Sequence, residues 1–486
     1  MTRTRCSALK TTTNSLKGIN KLLLAVGAGT TFLFMHLAVS YLNFPGKIVN
    51  VNNSLSLQML YIVTNNDFTH TFTSDSPIKY TNSSTVSRHT EAFQPINDND
   101  AWVYSAYYDV MRPNLTVIRV IGMASRNNHT VYCHMSKDGY TAIGKGKHKF
   151  LVEDHYKEYT ATMFECFVGP KFKPTSISIT YKPDVTPTNL LEIQYPKQRE
   201  RNFTVCYPAL YGYNNISRII QAIEINRVLG AQHFFIYNYS ISREMDAVLR
   251  HYQGEGVLTV LQWPLPLSDV KGIWYYGEVV AINDCVYRNK FVSQYVVIHD
   301  IDEFIIPNHH MTWSDLIEAA ELEYLGRHNI WNRPIGSFTF ESAYFKTLWN
   351  ARLWEQIKKN FSITTDEEIF FKKYFVFPFY QVVRQSSVYK FHKRTKTIVR
   401  PEHILVSGIH YTHAHRGTAN YTVVSNDMAI VHHYRKNKLC NFTDTSALRF
   451  KQLAYPLLTA SFEKFSHLLK QNNQPQWPIT FRKIHF

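Results

Sequence analysis

Asp300 and Asp302 stand two residues apart in the run His299-Asp-Ile-Asp-Glu-Phe-Ile-Ile-Pro307. Carboxylates so spaced converge on one hard cation if the backbone bends just beyond a strand. Mn²⁺ or Mg²⁺ favours such oxygens and keeps positions open for phosphate and water. A cation held in this way offsets the negative charge that develops on a diphosphate leaving group. The D-x-D spacing alone is weak, because it arises by chance in many chains and more often marks a solvated turn. Its weight comes from context: the apolar run Tyr295-Val-Val-Ile298 precedes it and Glu303-Phe-Ile-Ile-Pro307 follows. Asp302 is expected to ligate the metal directly, and Asp300 to contact the metal or a ribose. Glu303 and Phe304 are expected to give support from behind, since neighbours on an extended segment point to opposite sides. His410 and His433 are the candidates for a third ligand, because neutral imidazole suits a transition metal.

The elements that must position these residues alternate in type. Phe203–Leu210 reads as a strand, and Ile216–Leu229 as a helix with apolar residues at Ile216, Ile219, Ile220, Ile223, Val228 and Leu229, ended by Gly230. His233–Tyr237 is a second strand, Met245–Tyr252 a second helix closed by Gly254, and Val257–Leu261 a third strand. Glu278–Arg288 is helical and Tyr295–Ile298 is a fourth strand, apolar throughout. This alternation predicts an α/β fold with a mostly parallel sheet and helices on both faces. Ligands bind such sheets beyond the carboxyl ends of the strands, where His299-Asp-Ile-Asp302 lies. Residues 96–195 differ: short alternating runs at 102–108, 116–121, 130–133 and 176–181 predict a small antiparallel β-rich domain. Cys133 and Cys166 are the natural pair to staple it.

The first 95 residues address the compartment. From Leu22 to Gly46 there is no charged residue, and Arg3, Arg5, Lys10, Lys17 and Lys21 come before it. Such a run is long enough to cross a hydrocarbon core of about 30 Å. The positive-inside rule then predicts a cytosolic tail at 1–21, a transmembrane signal-anchor helix at 22–44 and a lumenal stem at 45–95. The expectation is a single-pass type II membrane protein of the Golgi or endoplasmic reticulum lumen. N-glycosylation sequons at Asn52, Asn82, Asn114, Asn128, Asn202, Asn215, Asn238, Asn360, Asn420 and Asn441 all lie beyond the span. Of the 6 cysteines, Cys6 falls in the tail, which leaves an odd number for the lumen. Two disulfides and one free thiol is the simplest arithmetic. The formal net charge of +16 is spread along the chain without a basic block, which argues against a nucleic-acid partner. Homo-oligomerisation stays open.

The stretch from Val205 to Pro307 resembles glycosyltransferase family 92. Cys206, Leu229-Gly230, Phe235-Ile-Tyr-Asn238, Gly256-Val257, Asn283-Asp-Cys285 with Arg288, and Asp300-Ile-Asp-Glu-Phe304 with Pro307 carry the likeness. Lys396-Thr-Ile-Val-Arg-Pro401, Gly408-Ile-His410 and His432-His-Tyr-Arg435 resemble the family's closing segments. Glu278 departs from it, standing where a glutamine is expected. The resemblance implies a GT-A fold over 196–486 and transfer of a hexose, typically galactose from UDP-galactose, with inversion. Fucose or galactose on a glycan is the implied acceptor. The nucleotide-sugar is expected to meet Ala209, Tyr211, Asn238, Asp284 and Asp300. Inversion needs a base for the acceptor hydroxyl. Glu341 is the candidate, with a salt bridge to a nearby cation as the competing reading; Asp366, Glu367 and Glu368 lie in the same part of the chain. Lys393, Arg394 and Lys396 offer charge for a diphosphate. Another UDP-sugar donor, or a non-catalytic lectin-like protein on the same fold, are the alternatives.

Overall fold

The computed structural model describes residues 92–471, apart from 98–99, 113–114, 170–171, 329–332, 347–350 and 436–441. The expected tail, span and most of the stem lie outside the described residues, as do the sequons at Asn52, Asn82, Asn114 and Asn441, and Cys440. Among the described residues, no helix is long and apolar enough to cross a membrane. All described residues belong to one compact unit, Phe72–Phe486.

The α/β region opens with β1 (Arg201–Leu210), α1 (Ile216–Leu229), β2 (Ala231–Asn238), α2 (Arg243–Gly254), β3 (Leu258–Gln262), α3 (Glu278–Arg288) and β4 (Ser293–Ile298). The expected element types hold throughout this stretch, with ends moved by a residue or two. Asn215 caps α1 by accepting the Arg218 amide at 3.1 Å, and Gly230, at φ 118°, closes it in a left-handed turn that disfavours a side chain. The strands run parallel in the order β3-β2-β1-β4. Beyond β4 the sheet continues with β8 (Lys396–Val399), β6 (Ile335–Phe340) and β9 (Asn420–Val423), and β8 runs antiparallel to both its neighbours. A second sheet holds β5 (Glu303–Pro307), β10 (Ala429–Tyr434) and β7 (Ser342–Lys346) side by side.

Helices cover both faces of the first sheet. Ile219, Ile220 and Ile223 of α1 and Met245, Val248 and Leu249 of α2 are buried in one core with Phe203, Val205, Phe234 and Ile236. Val279, Val280, Ile282 and Val286 of α3 are buried on the opposite face with Phe235, Tyr237, Val296 and Ile298. Alternate residues of β2 thus serve opposite cores, as a strand's two-residue period requires. The Cys206–Cys285 disulfide ties β1 to α3.

The β-rich region shares this second core: Tyr107, Ile121 and Met163 pack with Val280 and Cys285. Its strands form one sheet that closes on itself, because Leu191–Gln194 pairs both with Ser176–Thr180 and with Ala101–Arg112. Cys133 and Cys166 are bonded, as expected. Strands Tyr140–Phe150 and Tyr159–Val168 had no reading from the sequence. The first of them has no fully buried residue, so its residues show no apolar face.

Candidate active site

β4 ends at Ile298, and the chain turns at once. The Glu303 amide donates to the Asp300 carbonyl at 3.1 Å, which closes a tight turn over Asp300–Glu303 before β5 begins. This is the bend that two converging carboxylates require. The Tyr434 amide donates to the Asp302 carbonyl at 3.0 Å, which fixes the turn against the end of β10.

Glu303 sits behind the pair, 1% exposed. Its Oε2 accepts from the Asp300 amide at 3.1 Å and lies 3.2 Å from Lys396 Nζ, while Oε1 lies 2.8 Å from His433 Nδ1. Burial opposes its ionisation, but Lys396 and His433 outweigh it and hold the carboxyl well below its ordinary range. Lys396 also reaches Asp300 Oδ1 at 3.4 Å. Burial works against the ammonium, yet Asp300, Glu303 and Glu278 keep it charged. Lys396 therefore counters the acids from within and does not face a diphosphate. Nearly a third of the Asp300 side chain stays accessible, but its dense surroundings raise its proton affinity despite Lys396.

Asp302 meets cations at the rim. Its Oδ2 lies 3.3 Å from Arg218, 3.9 Å from Arg435 and 3.9 Å from His433 Nε2. Arg394, exposed, lies over the Tyr344 ring at 5.4 Å, and Tyr344 meets the His433 ring edge-on at 4.8 Å. Arg218 had no reading from the sequence. Its one signal is a cation in the first turn of a helix that starts beyond a strand's carboxyl end, where the helix dipole disfavours it.

Among the described residues, no three His, Cys, Asp or Glu side chains stand ready-made as a metal site. The donor set nevertheless fits one. His433 Nε2 is buried without a hydrogen-bond partner and stands 3.9 Å from Asp302 Oδ2, so the pair offers one nitrogen and one oxygen donor that could close on a cation only by drawing together. The register puts His433 there, opposite Glu303 on the β5–β10 ladder. His410 is placed differently. Its Nδ1 lies 3.3 Å from the Thr395 carbonyl, and its charged neighbours are Lys396, Glu153 and Glu303. Burial and Lys396 pull its pKa to about 4, and no described contact joins it to Asp300 or Asp302.

Two further expectations are corrected by burial. Asp284 is fully buried, and its oxygens accept from Tyr107 and Tyr237 at 2.6 Å each and from Arg288 at 3.1 and 3.2 Å. It is a structural hub, closed to a nucleotide. Glu341 is 6% exposed, and its carboxylate accepts from Lys390 at 3.0 Å, Asn426 at 2.7 Å and the Phe391 amide at 3.2 Å. The salt-bridge reading describes it, and these partners occupy the oxygens that a general base needs. Glu367 is buried against Lys451, and Glu368 pairs with Lys358 and Lys372. Asp366 stands exposed in the first turn of the helix Thr365–Tyr374.

The remaining nucleotide candidates do lie at the carboxyl ends of β1 and β2. Ala209 pairs with Tyr237, Asn238 Oδ1 is buried with no partner, and Tyr211 is 48% exposed. Glu278, at the first turn of α3, is 5% exposed. Its carboxyl is pushed up to about 8, first by burial and then by the charge of Asp300. At neutral pH it keeps its proton and offers one donor and one acceptor, as the expected glutamine would.

The sequence model of glycosyltransferase family 92 matches residues 201–474, more than half of the chain. The chain belongs to glycosyltransferase family 92. A curated relative, beta-1,4-galactosyltransferase galt-1 of Caenorhabditis elegans, is 25% identical over 250 residues, which is 50% of this chain and 51% of that protein. Galactan beta-1,4-galactosyltransferase GALS2 of Arabidopsis thaliana is 25% identical over 130 residues, 26% of this chain and 25% of its own. This chain thus spans at most about half the length of these relatives. Among solved structures, mannosyl-3-phosphoglycerate synthase from Rubrobacter xylanophilus is 12% identical at a TM-score of 0.22, over 57% of this chain and 77% of its own.

Proposed function

We propose that this family 92 chain is a metal-dependent, GT-A-like inverting glycosyltransferase that moves galactose from UDP-galactose to a glycan. The observation that carries the reading is the turn after β4, which sets Asp302 beside an unpartnered buried His433 nitrogen at the carboxyl ends of parallel strands. The galactosyltransferase names of the relatives support the choice of sugar. Asp302 and His433, with Asp300, would hold Mn²⁺ or Mg²⁺, and the cation would offset charge on the diphosphate as it leaves. Lys396 holds Glu303, the carboxylate behind the metal-facing pair, in its ionised form. Arg218, Arg394 and Arg435 supply further positive charge at the rim for the donor's phosphates.

The purified chain is expected to hydrolyse UDP-galactose slowly without an acceptor, and only when Mn²⁺ or Mg²⁺ is present. Faster hydrolysis of UDP-glucose or a UDP-N-acetylhexosamine would reassign the donor. If no UDP-sugar is hydrolysed and calorimetry detects no UDP binding, the chain is a non-catalytic, lectin-like member of the family.

The reading also places the enzyme in the Golgi lumen behind a signal-anchor at 22–44, supported by the uncharged run and the one-sided sequons. Asn128, Asn202 and Asn360 are exposed and are the expected glycan carriers. Asn215 and Asn420 are half-buried, and Asn238 buries its amide oxygen between strands. Endoglycosidase treatment of the cell-expressed protein is expected to lower its gel mass. An unchanged mass would contradict the lumenal placement.

A further inference from the structure

Two loops lead outward from the carboxylate site, and both carry aromatic rings. The first, residues 151–158, belongs to the β-rich region. Its Glu153 accepts the Ile409 amide at 2.6 Å and lies 3.3 Å from His413; the next residue, His410, takes the Thr395 hydroxyl on its carbonyl, and Lys396 beside Thr395 contacts Asp300. Two residues past Glu153, His155 stacks on Trp274 with ring centroids 3.7 Å apart, and Tyr156 is 94% exposed. The second loop, Trp274-Tyr-Tyr-Gly277, runs straight into Glu278, on which Asp300 exerts the largest charge effect. Tyr276 stacks on Tyr211 at 4.1 Å, and Tyr211 meets Tyr239 at 5.3 Å. Each loop therefore places an acid beside the site with aromatic side chains two to four residues away. The His155–Trp274 contact locks the two loops together.

The backbone of both loops is costly. Glu153 (φ 69°), His155 (φ 50°), Tyr156 (φ 58°), Tyr275 (φ 39°) and Tyr276 (φ 55°) are non-glycine residues in the left-handed region. Such conformations persist where the surroundings over-determine them, and they concentrate at binding sites. Core packing helps hold Tyr276, which is half-buried against the apolar core, but it does not account for Tyr275, 53% exposed, or Tyr156, almost wholly so. Exposed rings grouped beside hydrogen-bonding acids suit a pyranose. The apolar face of the sugar lies on the ring while its hydroxyls meet polar groups.

We propose that Trp274, Tyr275 and Tyr276, with Tyr156 as the facing wall, form the platform that holds the sugar residues of the acceptor glycan. This rests on the transferase reading above. It makes the β-rich region a part of the acceptor site, and it makes these rings positioning and specificity residues.

The test uses the full chain, UDP-galactose and a set of acceptors: a β-1,4-linked galactotetraose, a fucosylated chitobiose and simple β-galactosides and α-fucosides. In Tyr275→Ala, the KM for the accepted sugar is expected to rise about fivefold to tenfold, the size of one aromatic stacking contact. Tyr156→Ala should act in the same direction, and Tyr275→Phe should restore the wild-type value. The KM for UDP-galactose and acceptor-free hydrolysis should stay within about twofold of wild type, a split that a loss of folding would not produce. Unchanged acceptor KM in both alanine variants overturns the proposal. A raised donor KM with unchanged acceptor KM also overturns it and assigns the rings to the nucleotide. Hydrolysis with no transfer to any of these sugars counts against a sugar-binding platform. A wild-type chain that hydrolyses no UDP-sugar fails at the transferase reading, and the acceptor role falls with it.

Discussion

An Asp302→Asn chain is expected to lose galactosyl transfer by at least about a hundredfold, the scale on which removing one preorganised electrostatic partner of a leaving group acts. The amide keeps the shape of the side chain but removes the charge that a divalent cation needs. Stability should fall little, on the order of 1 kcal/mol, because the loss is one partly screened partner of Arg218 at 3.3 Å. The contrast is Glu303→Gln. Glu303 touches no substrate in this reading, yet it is 1% exposed and answers both Lys396 and His433. That variant should lose stability first, and activity through disorder of the turn. Steady-state rates with UDP-galactose, set beside thermal melts of both variants, separate the two roles. Asp302→Asn activity within threefold of wild type would remove the metal role from this residue.

The parallel strands and their helices were legible because their signals are local. The apolar stripe of Ile216–Leu229 and the four-residue apolar end of β4 each declare one element from within one window. Glu303 does stand behind the pair, but a tight turn over Asp300–Glu303, not the period of an extended segment, sets its carboxylate on Lys396 and His433. What escaped reading depends on partners far along the chain. Asp284 looked like a polar helix residue available to a ligand. Its burial follows from Tyr107, 177 residues away, and from Tyr237, and neither contact leaves a mark in the sequence around Asp284. Arg218 meets Asp302 across 84 residues, and Glu341 meets Asn426 across 85. The choice between His410 and His433 turned on strand register: a one-residue slip of β10 against β5 would face His432 to Glu303 instead. His432 is in fact buried, with Nδ1 3.0 Å from the Tyr434 hydroxyl, as a structural histidine.

A second large effect is expected far from the chemistry, at the seam between the β-rich and α/β regions. Asp109 is wholly buried, and its carboxylate meets Arg119 at 2.7 Å, Lys290 at 3.0 Å and Arg416. Arg119 belongs to the β-rich region, while Lys290 and Arg416 belong to the α/β region. One carboxylate thus serves three cations, and no single cation is essential to it. Asp109→Ala should cost about 3–5 kcal/mol, because it leaves Lys290 and Arg416 without their counter-charge and Arg119 with Glu165 alone. Lys290→Met should stay within about 1 kcal/mol of wild type, because Arg119 and Arg416 still answer Asp109. The pH dependence carries the same asymmetry. Burial pulls Lys290 down to about 7, against about 10.4 in an unfolded chain. Between these values the unfolded chain binds more protons than the folded one, so this residue makes stability rise with pH from 7 toward 10. Asp109 acts at the acid end. Its pKa lies well below the ordinary range because the three cations overcome burial, so its contribution is present above about pH 4 and is lost as pH falls further. From pH 7 to pH 9 the melting midpoint should therefore change more favourably in the wild type than in Lys290→Met, while Glu278, raised to about 8, lowers both alike over that window. If Asp109→Ala melts with the wild type, the seam is held by its apolar core alone.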